Sequence, residues 1–380
     1  MLRVFLNRKL LGFHKQKRKT KRNLSKRSFM DYFYQTSDSA PRFYPVIQIF
    51  ENFFRDDDDQ EGILIHRRNN LKSDWGEVSA PFVIGERKRP IPKTLGVAWL
   101  SVVEAKCYWI EEDIDKKQIE KDIILKDKKN NSLFNYIVTG LAPYGGVALW
   151  LRGEKKSKLI QWMKAEEVDP YDDDFSDFFA MCSPKQTCDD YLKKDELVKQ
   201  NIVERGLPSV DFFDNWMKQH RYRYIGLEEY FDGEKWQKYD EEDLFFDDLD
   251  FDSIQDQRFD GTHDLLHDGG LMKYHEAGCP KRLAVKWHEG RNDFSAYYWF
   301  DEQIAPQFFN NFFLMNTECK GDVLLRIDTR ASQFDIALKG ELLAESQVFP
   351  KEAYQLLVFM NGKELYRSEN FAQEDGAWNW

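Results

Sequence analysis

Large and small apolar side chains alternate along Pro92–Trp99: Leu95, Val97 and Trp99 take one parity, Gly96, Ala98 and Leu100 the other. A period of two predicts a β-strand with its three bulkiest groups on one face. The chain writes this pattern twice, because Pro280–Trp287 keeps Pro, Lys, Leu, Val and Trp at matching places. Tyr108-Trp109-Ile110 is then answered by Tyr298-Trp299-Phe300. The offset grows from 188 at Trp99/Trp287 to 190 at Trp109/Trp299, which predicts a two-residue insertion in the connecting hairpin.

Around the first copy the pattern predicts strands at Phe43–Phe50, Gly62–His66, Lys106–Glu111, Tyr136–Leu141, Val147–Arg152 and Leu159–Met163. It predicts a helix at Asp115–Leu125, where Ile119, Ile123 and Ile124 fall at helical spacing. Two further helices, Asp195–Arg205 and Ser209–His220, make a connector. The second copy repeats the plan, with a strand at Arg223–Tyr230, a helix at Ile304–Met315, and strands at Val323–Ile327 and Phe334–Lys339. The expectation is an α+β protein, internally duplicated, of two strand-rich units each with one main helix, packed side by side through a helical connector. Its parts are a basic arm at 1–29, units at 41–168 and 221–370, the connector at 169–220, and a tail at 371–380.

Charge changes this picture at the N-terminus. Residues 1–28 hold 11 Lys or Arg and no acid, whereas the other 352 carry 44 bases against 66 acids, a net −22. The start reads either as a disordered basic arm or as sequence preceding a true start at Met30. The acidic body repels nucleic acid and attracts cationic partners. No apolar run reaches the roughly 18 residues of a membrane span. With no signal peptide as written, the expected location is cytoplasmic, or periplasmic and envelope-associated if the start is misplaced.

Candidate chemistry is sparse. Five cysteines without a CxxC pair support no zinc ribbon; Cys182 and Cys188 are close enough to bridge, and reduced thiols are the simpler reading. Glu111-Glu112 and Asp301-Glu302 would serve as paired carboxylates, or as acids favouring a helix N-terminus. For a metal, the candidates are His263 and His267, at i and i+4 on one face of a helix, with His275 and Cys279 following. No GxSxG, phosphate-loop or GxGxxG motif is present, so neither catalytic residues nor a cofactor are assigned. The acidic stretch Tyr239–Phe259 is expected to be a solvated insertion with no counterpart in the first unit. Asp243, Phe245, Phe246, Asp247, Asp248 and Phe251 are its candidate docking residues for a basic partner, Phe259 being a further anchor.

Several motifs together resemble a bacterial family, domain of unknown function 2931. They are Ile91-Pro92 with Leu95 and Trp99, Glu104-Ala-Lys106-Cys-Tyr108, Gly140-Leu-Ala-Pro143-Tyr-Gly-Gly-Val147 with Trp150-Leu151, and Ala165-Glu-Glu-Val168. The resemblance covers about residues 41–370. It implies a structural scaffold, the setting of a Gram-negative envelope lipoprotein, and for some members a place beside secreted antibacterial effectors as immunity proteins. It supplies no catalytic residues. The expected function is therefore non-catalytic protein binding, immunity-like, against a basic toxin or effector, through acidic loops at 56–59, 166–177 and 240–260. The alternative is a metal-binding or hydrolytic enzyme built on the four His and Cys residues.

Overall fold

The computed structural model describes residues 31–49, 52–55, 61–65, 74–79, 88–172, 176, 179–237, 251–267, 273–315, 320–329, 332–340, 343 and 345–369. The basic arm, the acidic runs 56–59 and 240–250, Cys319 and the tail lie outside the described residues. Helices are few and strands dominate, an α+β composition. By contacts the chain divides into residues 1–152 with 160–208, and residues 153–159 with 209–380.

The first unit comprises β1 (Gln35–Ser39), β2 (Val46–Gln48), β3 (Asn52–Arg55), β4 (Glu61–Ile65), β5 (Thr94–Ser101), β6 (Lys106–Asp113), α1 (Lys116–Ile123), β7 (Tyr136–Leu141), β8 (Gly146–Arg152), β9 (Ser157–Lys164) and β10 (Glu166–Val168). Helices α2 (Pro184–Leu192) and α3 (Glu196–Arg205) follow. One sheet has the order β9-β8-β7-β1, with β1 parallel to β7; the other runs β10-β6-β5-β3-β4, and β2 also pairs with β5.

Strand β5 lies at the centre because both its faces are apolar. Leu95, Val97 and Trp99 enter a core with Leu149 and Leu151 of β8 and Ile119 and Ile123 of α1. Ala98 and Leu100, on the other face, pack with Cys107, Phe179 and Cys188 of α2. Gly96 is required by a close approach, since a Cβ there would stand 2.2 Å from the ring of Phe53. Helix α1 begins where the sequence expects, with Asp115 accepting the Gln118 amide at 3.0 Å.

The second unit comprises α4 (Phe212–Trp216), β11 (His220–Glu228), β12 (Phe251–Arg258), β13 (His263–His267), β14 (His275–Ala277), β15 (Pro280–Glu289), β16 (Asn292–Phe300) and α5 (Ile304–Met315). It ends with β17 (Lys320–Asp328), β18 (Gln333–Gly340), β19 (Gln347–Val348), β20 (Tyr354–Met360) and β21 (Lys363–Arg367). Its sheets run β14-β11-β17-β18-β19, with β11 parallel to β17, and β13-β12-β15-β16-β20-β21. Reading β11-β17-β18-β19 against β1-β7-β8-β9, and β13-β12-β15-β16-β20 against β4-β3-β5-β6-β10, gives one order in both units.

Register corrects two expectations. Trp99 lies opposite Tyr108, and Trp287 lies opposite Phe294, not near Tyr298. The second hairpin turns within Gly290-Arg291 where the first takes four residues, so it is two residues shorter, not longer. From the turn onward the offset is 186: Asp115 caps α1 through the Gln118 amide, and Asp301 caps α5 through the Ile304 amide. The repeated aromatic doublets look aligned in sequence only because both strands are rich in Tyr and Trp. The second correction concerns residues 251–258, expected in a solvated insertion. They form β12, an interior strand standing in the order where β3 stands in the first unit.

One side-chain contact recurs at the 188 spacing. The Tyr34 hydroxyl donates to the carbonyl of Pro90, and the Tyr222 hydroxyl to that of Gly278, both at 2.8 Å. Both rings are fully buried. Tyr34→Phe and Tyr222→Phe are each expected to cost about 1 kcal/mol, the net worth of a buried neutral hydrogen bond. Urea unfolding followed by tryptophan fluorescence measures this, and an unchanged midpoint at either site would remove that contact from the structural argument.

Candidate functional site

Strand β12 turns Phe251, Ile254, Asp256 and Arg258 inward. At a core position where an apolar side chain is the rule, Asp256 is wholly buried. In the first unit the residue opposite Leu95 is Phe54; in the second, the residue opposite Leu283 is Asp256. The scaffold therefore accepts an apolar group here, and the second unit has a charge in its place.

That charge sits in a buried network. Arg258 Nε donates to Asp256 Oδ2 at 2.7 Å, Nη1 to Thr262 Oγ1 at 3.1 Å and Nη2 to Asp264 Oδ2 at 3.4 Å. Asp256 and Asp264 are direct cross-strand neighbours, a repulsive arrangement unless a cation lies between them. Lys156 Nζ approaches Asp264 Oδ1 at 3.3 Å, so two cations balance two carboxylates. Asp260, in the turn after β12, accepts from the Thr262 amide and hydroxyl, the Gly278 amide and Gln219 Nε2. A Cβ on Gly278 would fall 2.7 Å from the Asp260 carboxyl carbon, so this turn needs glycine. Tyr222 and Tyr224 of β11 stand edge to face, 5.6 Å between ring centres, with the His275 ring 4.8 Å from Tyr222.

Burial dominates the electrostatics. It raises the Asp256 carboxyl to about 6 despite the adjacent Arg258. It drives His275 down to about 4, aided by the Arg258 charge, and pushes the Tyr222, Tyr224 and Cys279 groups far up. Arg258 stays charged because its carboxylate neighbours outweigh its own desolvation.

The four sequence-predicted ligands are dispersed over this region. His263-Asp-Leu-Leu-His267 is strand β13 and not a helix, so i and i+4 stand roughly 13 Å apart instead of one turn. The His263 ring faces the Glu154 carbonyl and its amide donates to Ser157 Oγ, while His267 is exposed at the strand end. His275 lies on β14, in the other sheet. Cys279 is buried at the place of Ile91, counting by the 188 spacing, which makes it a core thiol. Among the described residues, no group of three or more His, Cys, Asp or Glu is placed to hold a metal ion.

The other candidates fare as follows. Asp243, Phe245, Phe246, Asp247 and Asp248 lie outside the described residues. Phe251 is not a surface anchor: it is buried against Trp287, with ring centres 6.2 Å apart, and Phe259 is buried against Trp216. The paired carboxylates serve separate ends, Glu111 bonding Arg55 at 2.6 Å and Asp301 capping α5. Cys182 is exposed, Cys188 buried, and both are free thiols. Sequence reading missed Asp256 and Arg258 because it counted them with a solvated acidic run. The signal was present in Ile254-x-Asp256-x-Arg258, a strand parity carrying an apolar residue into the charges.

Comparison with known families gives one match, described as "Protein of unknown function (DUF2931)", over residues 14–210. That is more than half of the chain. The chain belongs to this family. The matched stretch takes in β1 to α3 and stops short of β12 and β13, which carry Asp256, Arg258 and Asp264, so the family description bears on the scaffold of the first unit. No curated protein and no solved structure matches the chain. Among the described residues, no helix is long and apolar enough to cross a membrane.

Opposed titrations at Asp256 and His275 lead to a pH prediction. Folding raises Asp256 from 3.8 to about 6, which adds stability as pH falls through that window. Folding lowers His275 from 6.5 to about 4, which removes stability as pH falls through nearly the same window. The two cancel in the native chain. Asp256→Asn is expected to leave the histidine unopposed, so the variant loses about 2–3 kcal/mol relative to the parent between pH 7 and pH 4. His275→Gln is expected to do the reverse. Urea unfolding across that range reads both slopes, and parallel slopes in parent and variants would refute the coupling.

Proposed function

We propose that the chain is an internally duplicated, non-catalytic protein-binding protein, whose acidic body captures a basic partner in the manner of an immunity protein holding a secreted effector. Duplication is supported by the common strand order, by the paired tyrosine-to-carbonyl bonds and by the matching aspartate caps. The observation that carries the binding reading is the net −22 of residues 29–380. Among the described residues inward-facing charges are satisfied in place: buried Arg258 by Asp256 and Asp264, half-buried Arg152 by Glu77 and Arg326 by Glu229, and buried Asp38 and Asp260 by neutral hydrogen-bond donors. Burying a charge is costly, so a few aspartates are inside and most of the surplus acid belongs to the surface, where it steers a cation-rich partner.

Of the acidic segments expected to form that surface, Glu166–Asp172 is the described one that is exposed. Glu166 and Glu167 lie on the short strand β10, and Glu167 bonds Lys106 at 2.7 Å. The test is copurification of the full chain with the products of genes adjacent to its own, at ~0.05 M and ~0.5 M salt, where screening lengths differ severalfold. The expected result is a basic partner retained at low salt and released at high salt. If none is retained at low salt, or if retention ignores salt, the reading fails.

A further inference from the structure

The face of β11 opposite its buried tyrosines carries Arg221 and Arg223, and β17 brings Lys320 directly opposite Arg221 in parallel register. All three cations surround one ring. Arg221, Arg223 and Lys320 stand 6.0, 4.8 and 5.7 Å from the centre of Tyr274. A single carboxylate is bonded within this group: Asp322 accepts from Arg223 Nε at 2.8 Å and from the Tyr274 hydroxyl at 3.1 Å. It neutralises Arg223 and fixes both Arg223 and the tyrosine.

Arg221 and Lys320 are left with no carboxylate in ion-pair range among the described residues. Glu276 is the cross-strand neighbour of Arg221 on β14, and Lys339 that of Asp322 on β18, so among the described residues the patch keeps a positive excess. Like charges on neighbouring strand positions repel, and an anion shared by two such cations relieves that repulsion. Charges further than about 8 Å are screened at physiological salt, so the acidic body does not cancel this local field. The cluster is also particular to the second unit. Counting by the strand registers, Arg221 stands where the first unit has Phe33, and Lys320 where it has Phe134.

The geometry points to an anion site on this face, in which Arg221 and Lys320 hold the phosphate group of a small soluble ligand on a platform of Tyr274, Arg223 and Asp322. A guanidinium fork beside an ammonium group suits a dianion with several oxygens better than a single carboxylate. This site is independent of the acidic surface invoked for partner capture.

Calorimetric titration of the full chain with inorganic pyrophosphate tests the assignment, with acetate titrated in parallel. One equivalent of pyrophosphate is expected to bind, and the Arg221→Gln/Lys320→Gln double variant to bind at least about tenfold more weakly, as loss of two charge-assisted contacts requires. Lys286→Gln/Lys363→Gln, which removes two exposed cations elsewhere on the same unit, is expected to bind as the parent does. Near-UV circular dichroism confirms that both doubles keep the parent fold. Absence of saturable binding to the parent, equal binding by the first double variant, or acetate binding as tightly as pyrophosphate would each overturn the assignment.

Discussion

A guanidinium that water does not reach governs the second unit. Arg258 must find acceptors inside the protein, and Asp256, Asp264 and Thr262 supply them from β12, β13 and the turn between. Removing one partner from a buried pair of this kind costs about 3–5 kcal/mol, whereas an apolar replacement of the whole set would cost little or even stabilise. Its presence therefore specifies an arrangement more than it adds stability. The register of β12 on β13 is tied to it, because a slip of one residue would turn Asp264 to the opposite face from Asp256 and Arg258 and take one acceptor from the arginine.

The first unit meets the same geometric problem with hydrocarbon. Phe54 fills the position of Asp256, and β5 is apolar on both faces, so its register is held by volume and shape. Buried polar groups are densest on β1, where Asp38 accepts from Gln48 at 3.1 Å and from the Ser79 hydroxyl at 2.7 Å. Two units with one strand order thus reach their cores by different chemistry. Interior pairing in one and apolar packing in the other leave surface charge free to diverge.

Much of this was legible in the sequence. Alternating strands such as Tyr136–Leu141 and the helix Ile304–Met315 were found at their observed limits, because one face of each is plainly apolar. Reading failed where burial and polarity part company. Strand β1, Gln-Thr-Ser-Asp-Ser, is buried and has no apolar residue to signal it. Strand β12 was hidden by its own charges, and His263-Asp-Leu-Leu-His267 satisfied a helical spacing while lying in a ladder. Hairpin length was misjudged because aromatic doublets are common in strands, and only cross-strand pairing distinguishes them. The cation cluster around Tyr274 needed three dimensions, since its members come from β11, β17 and the residue just before β14.

The tyrosine bonds at Pro90 and Gly278 have a consequence for tolerance to substitution. Their acceptor is a main-chain oxygen, which every amino acid possesses, so the accepting residue is free to change without loss of the contact. Proline and glycine, about as unlike as two residues can be in backbone freedom, occupy the two places. The side chain at that position can therefore change while the joint is kept, because the bond is made by the main chain alone.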